Sequence, residues 1–169
     1  MSARERWFER RFAFDLPNAR FPSIVERLRG TPARLEERLH GVPAGLVTRR
    51  DGDRWSIQEN AGHLGDLEPL WIGRVEDLRA GRTELTVADL TNAKTHAANH
   101  NARALDEVLR EFRSLRTRFV ALLEGADTAL LERHALHPRL KTPMRLIDMA
   151  QFTAEHDDHH LACITELLG

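Results

Sequence analysis

The sequence predicts an all-α fold, a four-helix bundle with one long connection between its second and third helices. Two observations carry that reading. Four stretches repeat apolar residues at helical spacing. Strand signals are missing as well: tyrosine is absent, and no run alternates apolar and polar residues with period two. Four amphipathic helices each need a partner for the apolar face, and a bundle buries all four faces together.

The first stretch runs from Pro22 to His40, with Ile24, Leu28, Leu35 and Leu39 as its apolar stripe. Gly30-Thr31-Pro32 interrupts it, and a Thr able to cap beside a Pro able to open a turn predicts a kink or a break there. Gly41-Val42-Pro43 ends it. The second helix starts at Ser56, which forms a capping box with Glu59 and so satisfies two orphan backbone donors. Its stripe is Ile57, Ala61, Leu64, Trp71, Val75 and Leu78, and Gly81 suits the position just past its end. From Arg82 to Asn101 the pattern dissolves. A connection of that length is expected to cross the bundle or cover a site. Leu105, Val108, Phe112, Leu115, Phe119 and Leu122 mark the third helix as a bundle seam. The fourth is expected to open with Thr142 as N-cap and Pro143 at its first position, and to run to the C-terminus.

A chain of 169 residues suits one domain, 1–169, with residues 1–20 as an N-terminal extension. Its formal charge of −1 offers no basic field for nucleic acid or an anionic membrane. The single cysteine, Cys163, allows no internal disulfide and suits a reducing compartment. Met1 to Phe14 is charged and lacks the apolar run of a signal peptide, and no stretch approaches the roughly 18 apolar residues of a membrane span. A cytoplasmic protein is therefore expected. Trp7, Phe8, Phe12 and Phe14 are expected to pack on the bundle or on a second copy in a homodimer.

The fourth helix carries the chemistry. Its inward stripe reads Met149, Phe152, His156, His160, Cys163, Leu167, so two histidines replace apolar residues in a core face. At i and i+4 their rings stack on one side, within reach of one ion. Buried imidazoles need partners, and a metal supplies both at once, whereas the plainer alternative is local hydrogen bonding or solvent. Glu155, Asp157 and Asp158 either hold ring N–H groups or are solvated. A third ligand must lie upstream, and His63, two turns into a well-capped helix, fits best. His96 and His100 share the i, i+4 spacing but sit where periodicity is weakest. His40, His134, His137 and His159 read as loop or surface residues. The run His156-Asp157-Asp158-His159-His160 is not a zincin motif, because Asp157 is one methylene shorter than the Glu that serves there as base.

The segments Trp55-Ser56-Ile57-Gln58-Glu59-Asn60-Ala61-Gly62-His63-Leu64 and Glu155-His156-Asp157-Asp158-His159-His160-Leu161-Ala162 resemble the DinB-like superfamily of metal-binding bundles. The resemblance runs from about Phe21 to Leu168. It implies an up-down-down-up helix order and a divalent metal, often zinc or nickel, held by His63, His156 and His160. It also implies a mixed range of activities: thiol-dependent S-transferases, a maleylpyruvate isomerase and metal-dependent hydrolases.

Two functions follow as expectations. The first is a metal-dependent enzyme acting on a small-molecule substrate, by hydrolysis or by transfer of a low-molecular-weight thiol, because three nitrogens leave a coordination position open. Glu68 is its candidate catalytic helper, set against a plain salt bridge at the core edge. Cys163 is a candidate fourth ligand, set against a small core residue. The second expectation is a non-catalytic bundle with a structural or sensing metal.

Overall fold

The computed structural model describes residues 4–169, so Met1 to Ala3 of the N-terminal reading lie outside it. In chain order the elements are α1 (Phe21–Leu39), the short α2 (Ala44–Val47), α3 (Ile57–Arg79), α4 (Ala93–Ala98), α5 (Leu105–Glu124) and α6 (Thr128–Glu132). A hairpin of β1 (His134–Leu136) and β2 (Pro143–Arg145) follows, and α7 (Leu146–Leu168) closes the chain. The four long helices form the bundle. α3 and α5 run parallel, since Gly65 meets Phe112 and Glu68 meets Arg116 further along both. α1 and α7 are also parallel, with Arg27 on Glu155 and Arg38 on Thr165. α1 runs against α5, pairing Arg29 with Glu124 and Glu36 with Arg113. The order is up-down-down-up.

α3 starts as its sequence dictates. Ser56 Oγ accepts from the Glu59 backbone N–H at 3.1 Å, and Glu59 Oε2 accepts from the Ser56 N–H at 2.9 Å. The helix ends at Ala80, and Gly81 follows at φ +68°, where a side chain would be strained.

Three expectations are corrected. α1 does not break at Pro32 but runs unbroken over 19 residues. Proline removes the donor that would have served the carbonyl of Leu28, and the Arg116 guanidinium, 3.1 Å away, donates to that oxygen instead. Thr31 does not cap a new turn; its hydroxyl donates to Asp157 Oδ2 at 2.8 Å. Strands do occur, in a hairpin of three-residue strands too short to show alternation. The fourth long helix opens at Leu146 rather than Thr142, because Pro143 pairs with Leu136 in the hairpin and Asp148 accepts from the Arg145 N–H at 2.9 Å.

Parallel α3 and α5 require the chain to travel back the length of the bundle between them. Residues 82–101 make that journey, and they are tied down along it. Leu136 N–H donates to Thr83 O and Leu85 N–H donates to Leu136 O, which joins the connection to the hairpin. Asp77 accepts from both the backbone and the hydroxyl of Thr86, at 2.6 and 2.7 Å. Trp7, Phe12, Phe14 and Leu16 of the N-terminal segment pack on the bundle core, while Phe8 stays 63% exposed.

Candidate metal centre

α3 and α7 run antiparallel in contact, which brings the second turn of one level with the middle of the other. His63 therefore faces His156 and His160. One donor atom from each of the three lies within 4.8 Å of the other two, and no cysteine or carboxylate joins the group among the described residues. Ring centroids are 5.3 Å apart for His63 and His156, 4.8 Å for His63 and His160, and 4.5 Å for His156 and His160. All three side chains are buried.

Two rings are held from behind. His160 Nδ1 lies 2.9 Å from Asn60 Oδ1. Asn60 Nδ2 donates to the carbonyls of Ser56 and Trp55, which fixes the amide with its oxygen toward the ring. His160 Nδ1 must then carry the proton, leaving Nε2 as a bare donor. His63 Nδ1 is 2.9 Å from the hydroxyl of Thr95, which the connection delivers through α4. Among the described residues, no hydrogen bond holds His156. Its Nδ1 is buried and unpaired, and edge contacts with Trp7 and Trp71 position the ring. Burial drives His63 down to about 4 and holds His156 and His160 well below the ordinary imidazole range, with neighbouring histidines adding to the shift. Neutral, dry imidazoles, one with an orphaned nitrogen, are a donor set that a divalent ion fits.

The remaining candidates fall elsewhere. Glu68 is fully buried, and its Oε1 accepts from Arg116 Nη2 at 2.5 Å; Arg116 also donates to Asp157 at 2.5 and 3.1 Å. Glu68 thus sits in an ion-pair network between helices, away from the three nitrogens. Asp157 points into the same network, and Glu155 and Asp158 pair with Arg27, so none of the acidic neighbours orients an imidazole. Cys163 is half-buried, its thiol pushed up by burial, and it lies outside the histidine group. His96 is exposed. His100 is buried but gives its Nε2 to Asp66 at 2.8 Å, its ring filling the space a Cβ on Gly62 would occupy. His40 and His134 are exposed as expected, whereas His137 and His159 are buried. His159 packs on Trp7 with Arg4 at 3.1 Å, and His137 lies on Phe152 beside Arg74.

A cavity of about 460 Å³ opens beside the three rings. Trp7, Trp55, Trp71 and Phe152 wall it, with Val87 and Leu90 from the connection. The length of that connection led to the expectation that it crosses the bundle or covers a site, but nothing in the sequence signalled that Asn60 or Thr95 would brace the ligands, since neither belongs to an apolar stripe or a metal-ligand spacing.

The family model for the DinB superfamily matches residues 27–164. No curated protein matches the chain. Among solved structures, the fold is similar to that of YfiT from Bacillus subtilis, described as a probable metal-dependent hydrolase with an unusual four-helix bundle topology. That likeness has a TM-score of 0.80 at 22% identity, over 94% of this chain and 91% of that one. A protein from Streptococcus pneumoniae is similar with a TM-score of 0.67 at 11% identity, covering 86% of this chain and 88% of that one. The mycothiol-dependent maleylpyruvate isomerase is similar with a TM-score of 0.68 at 9% identity, covering 87% of this chain and 60% of that one. At such identities the structural likenesses speak to the fold. With the bundle topology in agreement, the match over residues 27–164 shows that this chain belongs to the DinB superfamily.

Proposed function

We propose that this protein is a divalent-metal-dependent enzyme that holds zinc or nickel with His63, His156 and His160 and transfers a low-molecular-weight thiol to a small molecule bound in the adjoining cavity. The observation that carries the reading is a buried three-nitrogen group with no fourth protein donor among the described residues, set at a cavity wall. Such an ion would supply a Lewis-acid position for a nucleophile or an electrophile.

The chain's own residues prepare that position. Asn60 fixes the tautomer of His160, and Thr95 holds the ring of His63 in place. Trp7, Trp55 and Trp71 keep water from three sides of the rings and give a bound ligand apolar walls. Among the described residues, the acids and the histidine nearest the rings are poor general bases: Glu68 and Asp157 are bound to Arg116, and His159, lowered to about 4 by burial and by Arg4, is a weak proton acceptor. With no such base beside the rings, an ion held by His63, His156 and His160 would supply the acidification of the nucleophile. A thiol, ordinarily near 8.5, needs less of that help than water does, and this favours thiol transfer over hydrolysis.

Elemental analysis of freshly purified protein should find about one divalent ion per chain, lost in His63→Ala, His156→Ala and His160→Ala and kept in His96→Ala. A cobalt-substituted sample should change its visible spectrum when thiols are added. Wild type that neither carries metal nor takes up zinc or nickel refutes the site. A cobalt spectrum indifferent to thiol and azide makes the metal structural.

A further inference from the structure

The cavity has a second polar end, formed by two guanidinium groups and a histidine. Arg74, on α3, is 1% exposed. Its Nε donates to the carbonyl of Thr86 at 3.0 Å, and its guanidinium lies 5.4 Å from the centre of the Trp71 ring. Arg139, in the hairpin turn, sits over Phe8 at 5.2 Å, and its Nη2 is buried with no hydrogen-bond partner. Neither has a carboxylate at salt-bridge distance among the described residues; Asp77 acts on Arg74 only through space and is itself held by Arg82 and Thr86. The contrast with Arg116 is direct: equally buried, it holds two carboxylates.

His137 sharpens the imbalance. The backbone N–H groups of Arg139 and Leu140 both lie 3.2 Å from its Nδ1, so that nitrogen accepts and the ring proton sits on Nε2. Nε2 in turn faces Arg74 Nη1 at 3.2 Å. Donor meets donor there, and an acceptor is missing. The one carboxylate on this wall, Asp89, is taken up by the N–H groups of Thr91 and Ala93. Burial lowers Arg74 to about 10 and lowers Arg139, yet both keep their charge at neutral pH. Two cations without a directly paired carboxylate and an N–H donor converge on one end of a cavity whose walls are otherwise mostly aromatic and aliphatic.

We propose that Arg74, Arg139 and His137 bind the carboxylate of the substrate, so that the substrate is an amphipathic organic acid. Its apolar body lies along Trp71 and Phe152, and its other end reaches the three histidines. Trp71 spans that distance, with Arg74 on one side and His156, at 5.7 Å between ring centres, on the other. A carboxylate suits the donors because a planar pair of oxygens matches a guanidinium edge. The proposal rests on the metal-enzyme reading only for what happens at the far end of the ligand.

Calorimetric titration with hexanoate, hexanamide and hexyl phosphate tests it, on the full chain as purified and after treatment with a chelator. Hexanoate should bind in both states, and hexanamide about tenfold more weakly or worse. Arg139→Gln should weaken hexanoate by about tenfold with its metal content unchanged, and Arg74→Gln should do the same if it folds. Equal affinity for acid and amide overturns the proposal. So does hexanoate binding that ignores Arg139→Gln, or that disappears on chelation because the acid was ligating the metal. Tighter binding of hexyl phosphate overturns the carboxylate assignment. Wild type without metal would refute the metal enzyme and leave this test standing, since the arginine dependence is read in the chelated protein.

Discussion

Asn60 reaches His160 from a position 100 residues earlier in the chain, and the bond fixes which nitrogen of that ring is free. Thr95 braces the His63 ring through its Nδ1. Such supports characteristically change metal affinity by about 10–100-fold. Asn60→Ala and Thr95→Val should each weaken zinc binding by that order in competition with a chromophoric chelator, with the helical circular dichroism unchanged. Unaltered affinity would mean that the aromatic packing alone orients the rings. The three histidines were legible because i, i+4 spacing on a core face is a local pattern. Asn60 stood in plain view within one turn of His63, but its role depends on which residue of α7 arrives opposite. Thr95 lies in a stretch with no periodicity to place it. The acidic neighbours misled for a related reason: Arg27, which claims Glu155 and Asp158, sits on another helix.

At the scale of elements, Arg116 links its own helix, α5, to the other three long helices. It ties Glu68 of α3 to Asp157 of α7 and completes the ladder of α1 at the carbonyl that Pro32 leaves free. Arg116→Met should therefore cost about 3–5 kcal/mol, because it strands two buried carboxylates. Urea denaturation of the metal-free protein measures it, and adding Glu68→Gln and Asp157→Asn should recover part of the loss. A cost under about 1 kcal/mol would show that the network is idle. The same residue explains why a break at Pro32 was expected and is absent. Local sequence shows the missing donor, whereas the substitute comes from 88 residues away. Helix existence and the α3 start were readable because capping and periodicity are local. The start of α7 was not, since Pro143 fits a strand edge as well as a first helical turn.

For the molecule as a whole, buried ionisable groups set the response to acid. Burial, then Arg74 and Arg139, lower His137 to about 4. The unfolded chain keeps an ordinary imidazole near 6.5, so between these values it binds the proton and the folded state does not. Stability should fall as pH drops from about 6.5 toward 4. Glu68 has the opposite sign: burial raises it to about 7 against the pull of Arg116, so its contribution is present at low pH and is lost as pH rises from about 4.5 to 7. Urea midpoints of chelated protein across this range should show His137→Gln with a shallower loss on acidification and Glu68→Gln with a steeper gain on alkalinisation. Parallel curves for wild type and both variants would contradict these assignments.

The chain has three tryptophans and no tyrosine, and Trp7, Trp55 and Trp71 all line the one cavity. Its near-ultraviolet emission is therefore the emission of that cavity alone, with no background from the rest of the bundle. A closed-shell ion such as zinc leaves indole fluorescence largely intact, while an open-shell ion such as nickel quenches it at these separations. Unlabelled protein in a cuvette would thus report optically both on an ion added to the three histidines and on anything that lies beside it.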